Sequence, residues 1–461
     1  MHNHDFAAID EQKFKPFHWL ATLTTGLGVF CDGYDLSSIA LVLPLVLATF
    51  GQKSLTGFES AALAASALVG ATIGALVFGV LGQKGRMRFY GYDVLVLAFA
   101  AIAQAFAPNL DWLIGIRFVL GFGVGADYVL SPMIMAEHSN RADRGRALGL
   151  GFGTMWPVGA LAAALFNLLL YALHTPADWQ WRLVLAAGAI PAFSVVYLRR
   201  QMPETARFLA RLGGDGEEAA RVIGQISGES VAPPARDHRT FKEVFALHAR
   251  EIVSGAILWM IYDLVVYAVI LFGPSLIAKS VGLGPVTFSL LIQLIFVLPP
   301  SILFSLFLID RVGRKPLQVW GFLIGAVLLA IFALLQHRLL EIPITAFIVF
   351  GLFNVAETGP GLVSGAGILG VELAPTRIRS VAQSITVAGG RFGAALSAFA
   401  FPLLFAGIGQ AGAYWCIVGA SVLGAVLTQV LVPETSRRSL EEIAGDAHSS
   451  DEARPARSPQ V

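Results

Sequence analysis

The residues whose types and spacing could do chemistry are charged side chains set deep inside apolar stretches: Asp32, Asp35, Asp93, Arg117, Asp127, Asp263, Glu357 and Arg391. An ionisable group in hydrocarbon costs roughly 2.5–3.5 kcal/mol even on lenient insertion scales, so such residues face a bundle interior or a cavity and usually have work there. A carboxyl withdrawn from water holds a proton more readily than one in water. These acids can therefore load and release protons, while the arginines can neutralise them or capture an anion with a rigid donor fork.

Asp32 falls halfway along its apolar block and Asp35 lies close to the same helical face. They read as proton carriers, or as neutral acids packed against backbone or a basic partner. Asp127 follows Gly121, Gly123 and Gly125. Without a phosphate-loop Lys, and inside an apolar block, that run is no nucleotide fingerprint. Glycines so spaced let helices approach closely, and Asp127 reads as a coupling carboxylate opposite Asp32. Arg117 stands almost three turns earlier, about 15 Å away, too far to pair with Asp127; an outer-end salt bridge or snorkelling is the plain account of it. Asp93 opens its block near Arg86 and Arg88 and could pair with either.

Trp259, Asp263 and Tyr267 are spaced i, i+4, i+8 along one helical face. Indole and phenol can donate to an oxyanion, while Asp263 could accept from a protonated one or share its proton; the alternative is a packing stripe. Tyr128, beside Asp127, could add one hydroxyl. Arg391 sits between Gly389-Gly390 and Gly393 in mid-block, with Asp263 and Glu357 as candidate partners. It serves either an ion pair or anion capture. Glu357 could neutralise Arg391 or carry a second proton.

The elements that must position these groups follow from composition. The chain has 461 residues, 56% hydrophobic and 14% charged, with a mean hydropathy of +0.70. Soluble domains carry about 25% charged residues, so this chain cannot face water on all sides. Its apolar blocks repeatedly reach the ~18 residues needed to cross a hydrocarbon core about 30 Å thick. They place spans near 19-46, 60-82, 89-107, 112-136, 146-171, 180-199, 251-275, 286-309, 317-335, 343-370, 380-406 and 411-432. The expected fold is an all-α polytopic membrane protein with twelve transmembrane helices in two six-helix halves. A net charge of +1 suggests no nucleic-acid partner. Cys31 and Cys416 lie far apart in apolar segments, so neither a disulfide framework nor a metal knuckle is expected. No pattern calls for a cofactor, and the first span reads as retained, not as a cleaved signal.

Alternate connections are rich in base: Lys84, Arg86 and Arg88; Arg141, Arg144 and Arg146; Arg311, Arg314 and Lys315; Arg377 and Arg379; Arg437 and Arg438. The positive-inside rule then puts both termini in the cytoplasm. The polar stretch 200-250 reads as a cytoplasmic linker between halves 19-199 and 251-432, with a cytoplasmic segment 1-18 before them and a tail at 433-461 whose last residues, about 445-461, suit disorder. Landmarks return at nearly one interval: the stretch from Gln83 to Arg88 as Asp310 to Lys315, and Pro203-Glu204-Thr205 as Pro433-Glu434-Thr435. Duplication explains that. Glu137 and Glu372 end their spans in matching places, each followed by an arginine, Arg144 or Arg379. With Gln83, Arg86, Asp310 and Arg314 they read as gating parts.

The repeated loop signature, the linker and the Pro-Glu-Thr endings resemble the major facilitator superfamily, over about residues 16 to 445. Within it the chain resembles the phosphate:proton symporters. Asp32-Gly33-Tyr34-Asp35-Leu36 is similar to their first-span acidic motif, Gly125-Ala126-Asp127-Tyr128-Val129-Leu130-Ser131 to their fourth-span motif, and Trp259, Asp263 and Tyr267 to the spacing of their phosphate site. That resemblance implies proton coupling through Asp32, Asp35, Asp93 and Asp127, with Arg117 tuning the acids, and substrate binding by Tyr128, Trp259, Asp263, Tyr267 and Arg391. The chain departs from the pattern at Met155 for a Gln, near Val363 for an Asn, at Arg391 for a Lys, at Val129 for a Pro and at Gln83 for an Asp.

The expected function is proton-coupled transport of a small anion, inorganic phosphate first. An organic acid or other metabolite is the alternative within transport, and a transporter-like receptor or sensor the alternative outside it; no enzymatic constellation is visible. Expected partners are the solute, protons and the lipid bilayer of the plasma membrane (the inner membrane in a Gram-negative cell), with the chain working as a monomer.

Overall fold

The computed structural model describes residues 5–445, and every regular element among them is helical. The expected disordered tail falls almost wholly outside the described residues. The long apolar helices are α1 (Pro16–Thr49), α2 (Gly57–Leu81), α3 (Tyr92–Gln104), α4 (Leu110–His138), α5 (Arg144–Ala172) and α6 (Ala177–Arg199). After the polar stretch come α7 (Ala249–Ser280), α8 (Val286–Val312), α9 (Arg314–Glu341), α10 (Pro343–Thr358), α11 (Arg379–Phe401) and α12 (Leu403–Leu431).

Among the described residues 10 helices are long and apolar enough to cross a membrane. Two expected spans fall short, each for a local reason. Helix α3 cannot start before Gly91, whose φ of 117° is left-handed, and it ends ahead of Pro108. Helix α10 stops at Thr358 because Gly359-Pro360-Gly361 follows; proline supplies no N–H and the glycines let the chain turn, so residues 362–372 continue only as short turns. Helices α11 and α12 belong to one helical run, Arg379–Leu431, whose kink falls at Gly409, φ 73°, early in α12.

Small residues set the packing that holds the charges. A Cβ on Gly121 or Gly125 would collide with the carbonyls of Ala67 and Ala71 on α2, and one on Gly123 would press on α3 at Asp93 and Leu97. Helix α4 is thus wedged between α2 and α3, and Asp127 has little freedom to move. In the second half of the chain Gly389 and Gly393 seat α11 on the carbonyls of Ala256 and Met260 of α7, which pins Arg391 beside Asp263. Large apolar side chains such as Phe99, Trp112, Tyr197 and Val430 remain on the outer surface, where a bilayer would cover them.

The polar stretch is folded. Asp215 caps a helix at Gly216–Ser227, whose Ala219, Val222, Ile223 and Ile226 bury against Phe6 and Ile9 from the N-terminal segment. Apolar residues at i, i+3, i+4 and i+7 explain this element. Arg207 is buried between Asp10 and Glu441, 2.9 and 2.8 Å away, tying that segment and the end of the chain to one guanidinium.

Candidate functional site

Two clusters of buried charge occupy the interior. In the first, Arg199 at the end of α6 reaches Asp93 Oδ2 on α3 at 2.6 Å and pairs with Asp127 on α4, while its guanidinium stacks 3.9 Å from the Tyr90 ring centroid. Ser131, one turn beyond Asp127, donates to that carboxylate at 2.6 Å. A Cβ at Gly28 of α1 would run into both Arg199 and Asp127, so glycine there lets the ion pair sit against α1. Asp32, one turn further along α1, is fully buried with no hydrogen-bond partner on either oxygen; the charges acting on it are Asp127, Arg199, Asp35 and Arg391.

The pairing of Asp93 with Arg86 or Arg88 is corrected by this geometry. Helix α6 runs beside α3 and delivers Arg199 first; Arg86 turns instead to Gly82, Glu137 and Thr376. Arg117 neither snorkels nor forms a salt bridge among the described residues: it is buried and donates to Gln104 at 3.4 Å. Asp35 abuts Gly188 of α6 with both oxygens unpartnered.

The second cluster surrounds Arg391. Its Nη1 donates to Tyr267 Oη at 2.8 Å and lies 3.4 Å from Asp263 Oδ2, an ion pair without an aligned hydrogen bond. The guanidinium carbon is 4.2 Å from the Tyr128 ring and 5.8 Å from that of Trp259, within cation–π reach of both. The structure therefore brings Tyr128, Trp259, Asp263, Tyr267 and Arg391 to one place, with Tyr128 linking it to Asp127 next door in the chain. Trp259 Nε1, Arg391 Nε and Asp263 Oδ2 are buried there without hydrogen-bond partners. Two free donors and one free acceptor suit a ligand that offers oxygen lone pairs and one O–H.

Glu357 lies elsewhere. It is buried at the end of α10 against Gly325 of α9, not beside Arg391, because the helix breaks one residue later and turns that face toward α9. Neutralisation of Arg391 by Glu357 is thereby ruled out in this conformation.

Two residues that sequence reasoning passed over belong here. Arg199 looks like a flanking base, since Arg200 follows it at a span end; only the folded chain shows which of the two is buried. Gln383 on α11 is fully buried and donates to the Tyr128 carbonyl at 3.1 Å, crossing to α4. Its neutrality hid it in a search for intramembrane charge.

At the end where the basic loops converge, the residues that the repeat suggested as gating parts form two matching knots. Glu137 binds Arg86 at 3.3 Å, Arg379 at 2.8 Å and Thr205 at 2.5 Å. Glu372 binds Arg314 at 3.1 Å, Arg144 at 2.7 Å and also Thr435. Each glutamate thus holds one arginine from its own side of the repeat and one from the other, a crossed bolt of ion pairs between the two sets. Asp310 adds bonds to Arg314 and to the N–H groups of Gly145 and Arg146. Gln83, its counterpart, has no charge to pair, and its Nε2 is buried without a partner. Burial pushes the Glu204 carboxyl above its ordinary range, against the pull of the Thr205 and Met87 N–H groups it accepts from.

A family model described as Sugar (and other) transporter matches residues 21–446. The chain belongs to this family of transporters, within the major facilitator superfamily. The resemblance to phosphate transporters also holds for this transporter. It is 30% identical to probable inorganic phosphate transporter 1-6 of Arabidopsis thaliana, over 95% of its own length and 96% of the relative's. With inorganic phosphate transporter 1-6 of Oryza sativa subsp. japonica it shares 31% identity over 97% and 96%. Its fold is similar to that of the proton:xylose symporter XylE bound to 6-bromo-6-deoxy-D-glucose, with a TM-score of 0.78 at 23% identity, covering 93% of this transporter and 98% of that chain. The inward open conformation of XylE from E. coli gives 0.64 at 22% identity, over 93% and 99%.

Proposed function

We propose that this transporter is a proton-driven importer of a small oxyanion, inorganic phosphate first. The observation that carries the reading is the separation of tasks: Arg391, Trp259 and Asp263 offer unpartnered donors and an acceptor in the middle of the bundle, while a ladder of buried acids, Asp35, Asp32, Asp127 and Asp93, runs alongside. The relatives named for inorganic phosphate support that choice of solute.

In this reading a proton entering past Asp35 and Arg117 neutralises Asp32, and its field on the neighbouring Asp127–Arg199 pair changes accordingly. A monoprotonated phosphate accepts from Trp259, Tyr267 and Arg391 and donates its O–H to Asp263. Asp93, on the same guanidinium as Asp127, receives the proton on its way out. The crossed bolt at Glu137 and Glu372 opens for release. The apolar ring of Phe152, 4.9 Å from the Tyr128 ring, favours a second reading: an organic acid with a small apolar group.

Uptake into proteoliposomes separates them. An outside-acid pH gradient should make vesicles accumulate radiolabelled inorganic phosphate, and a protonophore should abolish it; short carboxylic acids should compete poorly. Uptake no greater than that of empty vesicles would end the phosphate reading, and strong competition by carboxylates would favour the other.

We further propose twelve spans, α1–α12, with α3 and α10 crossing together with their flanking turns. They form halves 19–199 and 251–432 around one central pathway in a single chain, with the linker and both termini in the cytoplasm beneath the plasma membrane. The basic residues of the linking loops support this orientation. With Cys31 and Cys416 replaced, Ala142→Cys and Ala235→Cys should react with impermeant thiol reagents only after the cytoplasmic face is exposed. Labelling of either in intact cells would invert the topology.

A further inference from the structure

We propose that Glu357 is a second proton-binding site of this transporter, loaded in the conformation described here and emptied when the break in α10 moves, so that each anion travels with one proton more than the Asp32–Asp127 ladder alone would carry. The proposal rests on the reading of the chain as a proton-driven importer.

Glu357 is 3% exposed, and its Oε1 has no hydrogen-bond partner. No cation approaches it within 4 Å among the described residues. An ionised carboxylate left buried and unpaired is strongly disfavoured, and the group takes up a proton instead. The surroundings from each neighbouring element agree. From α9 comes Gly325, where a Cβ would sit 2.7 Å from Glu357 Oε1, with Gly321 seated against Gly361. From α8 come the Phe304 ring, near Gly359, and the Val297 carbonyl, which takes the Thr358 hydroxyl. From α7 comes Tyr262, the one titratable side chain facing the group among the described residues, and its hydroxyl donates at 3.1 Å to the backbone carbonyl of Glu357, not to the carboxylate. Within α10 itself Glu357 lies in the last turn, at the negative end of the helix dipole, which opposes a second negative charge.

Position gives this proton a use. Glu357 stands two residues before Gly359-Pro360-Gly361, and Tyr262 joins the break to α7: its hydroxyl bonds the Glu357 carbonyl and its ring lies against Gly365 beyond the break. Asp263 of the substrate cluster is the next residue of α7. A shift of the break that opens Glu357 to water lets it ionise, and the same shift is transmitted through Tyr262 to the anion site.

The test uses the full-length protein and its Glu357→Gln variant, which mimics the protonated acid. Infrared spectroscopy of each in lipid at neutral pH should show a protonated-carboxyl band in the wild type that is missing from the variant. Its absence from the wild type overturns the proposal whatever the substrate. In proteoliposomes, the proton-to-phosphate ratio from reversal potentials should fall by one in Glu357→Gln while uptake continues. An unchanged ratio assigns Glu357 a packing role and overturns the proposal. Should the variant not transport, alkaline titration of the infrared band decides: the wild-type carboxyl band that is missing from Glu357→Gln must give way to a carboxylate band as the pH rises, and a band that never titrates overturns the proposal. A wild type without gradient-driven phosphate uptake overturns the importer reading itself, a result distinct from an unchanged ratio in a coupled wild type.

Discussion

Arg391→Gln should abolish inorganic phosphate binding, while Arg391→Lys should retain a weakened site. The arginine is buried on α11 and held by Tyr267 at 2.8 Å and Asp263 at 3.4 Å, so its position is set before any anion arrives. Removing one member of a buried charge pair costs about 3–5 kcal/mol, and the anion would meet an uncompensated Asp263 carboxylate. Affinity should therefore drop by at least about a hundredfold. Lysine keeps the charge and loses the fork, so binding should weaken without vanishing. Calorimetry on the purified variants checks this, with Arg391→Gln combined with Asp263→Asn as the control. Wild-type affinity in that double variant would show that Arg391 serves only to neutralise Asp263. Glu357 drops out of the control because it lies against α9.

The second large effect concerns Arg199 and the acids it gathers. Asp127→Asn should leave exchange of phosphate across the membrane intact and remove its accumulation under an imposed pH gradient, because an amide cannot give up the proton the cycle needs. Arg199→Met should do something different. It strands Asp93 and Asp127 in a dry interior, and the loss should be about 3–5 kcal/mol of stability, read as a lowered melting temperature in detergent or as absent folded protein. Adding Asp127→Asn to Arg199→Met should recover part of the loss, since only one acid then lacks its cation. Equal melting temperatures for Arg199→Met and wild type would show that this bridge contributes nothing to the fold, and accumulation by Asp127→Asn would move the proton elsewhere.

Much of the molecule was legible in the order of its residues. Apolar length and the basic loops were enough to expect a helical membrane bundle, because lipid admits only elements that satisfy their own backbone hydrogen bonds. Helical spacing alone placed Trp259, Asp263 and Tyr267 on one face, since 3.6 residues per turn is a local property. The return of Glu137 with Arg144 as Glu372 with Arg379 pointed to paired gating parts. The broken tenth helix was less legible: Gly359-Pro360-Gly361 was in plain view, but a hydropathy window averages across it.

Which charge meets which was decided only by the tertiary structure. Sequence assigned Asp93 to the nearby Arg86 or Arg88 and offered Glu357 to Arg391. The fold sends Arg199 to Asp93 and Asp127, crosses Arg379 to Glu137 and Arg144 to Glu372, and turns Glu357 toward Gly325. The reason is geometric: a charged side chain reaches only a few ångströms, so its partner is fixed by how glycine-lined helices such as α4 and α11 press on their neighbours, and that contact joins residues hundreds of positions apart. Composition and periodicity determined that buried charges must exist in this protein and which helical faces carry them; packing alone determined their pairs, and so left Asp32, Asp35 and Glu357 as acids without an ion-pair partner among the described residues.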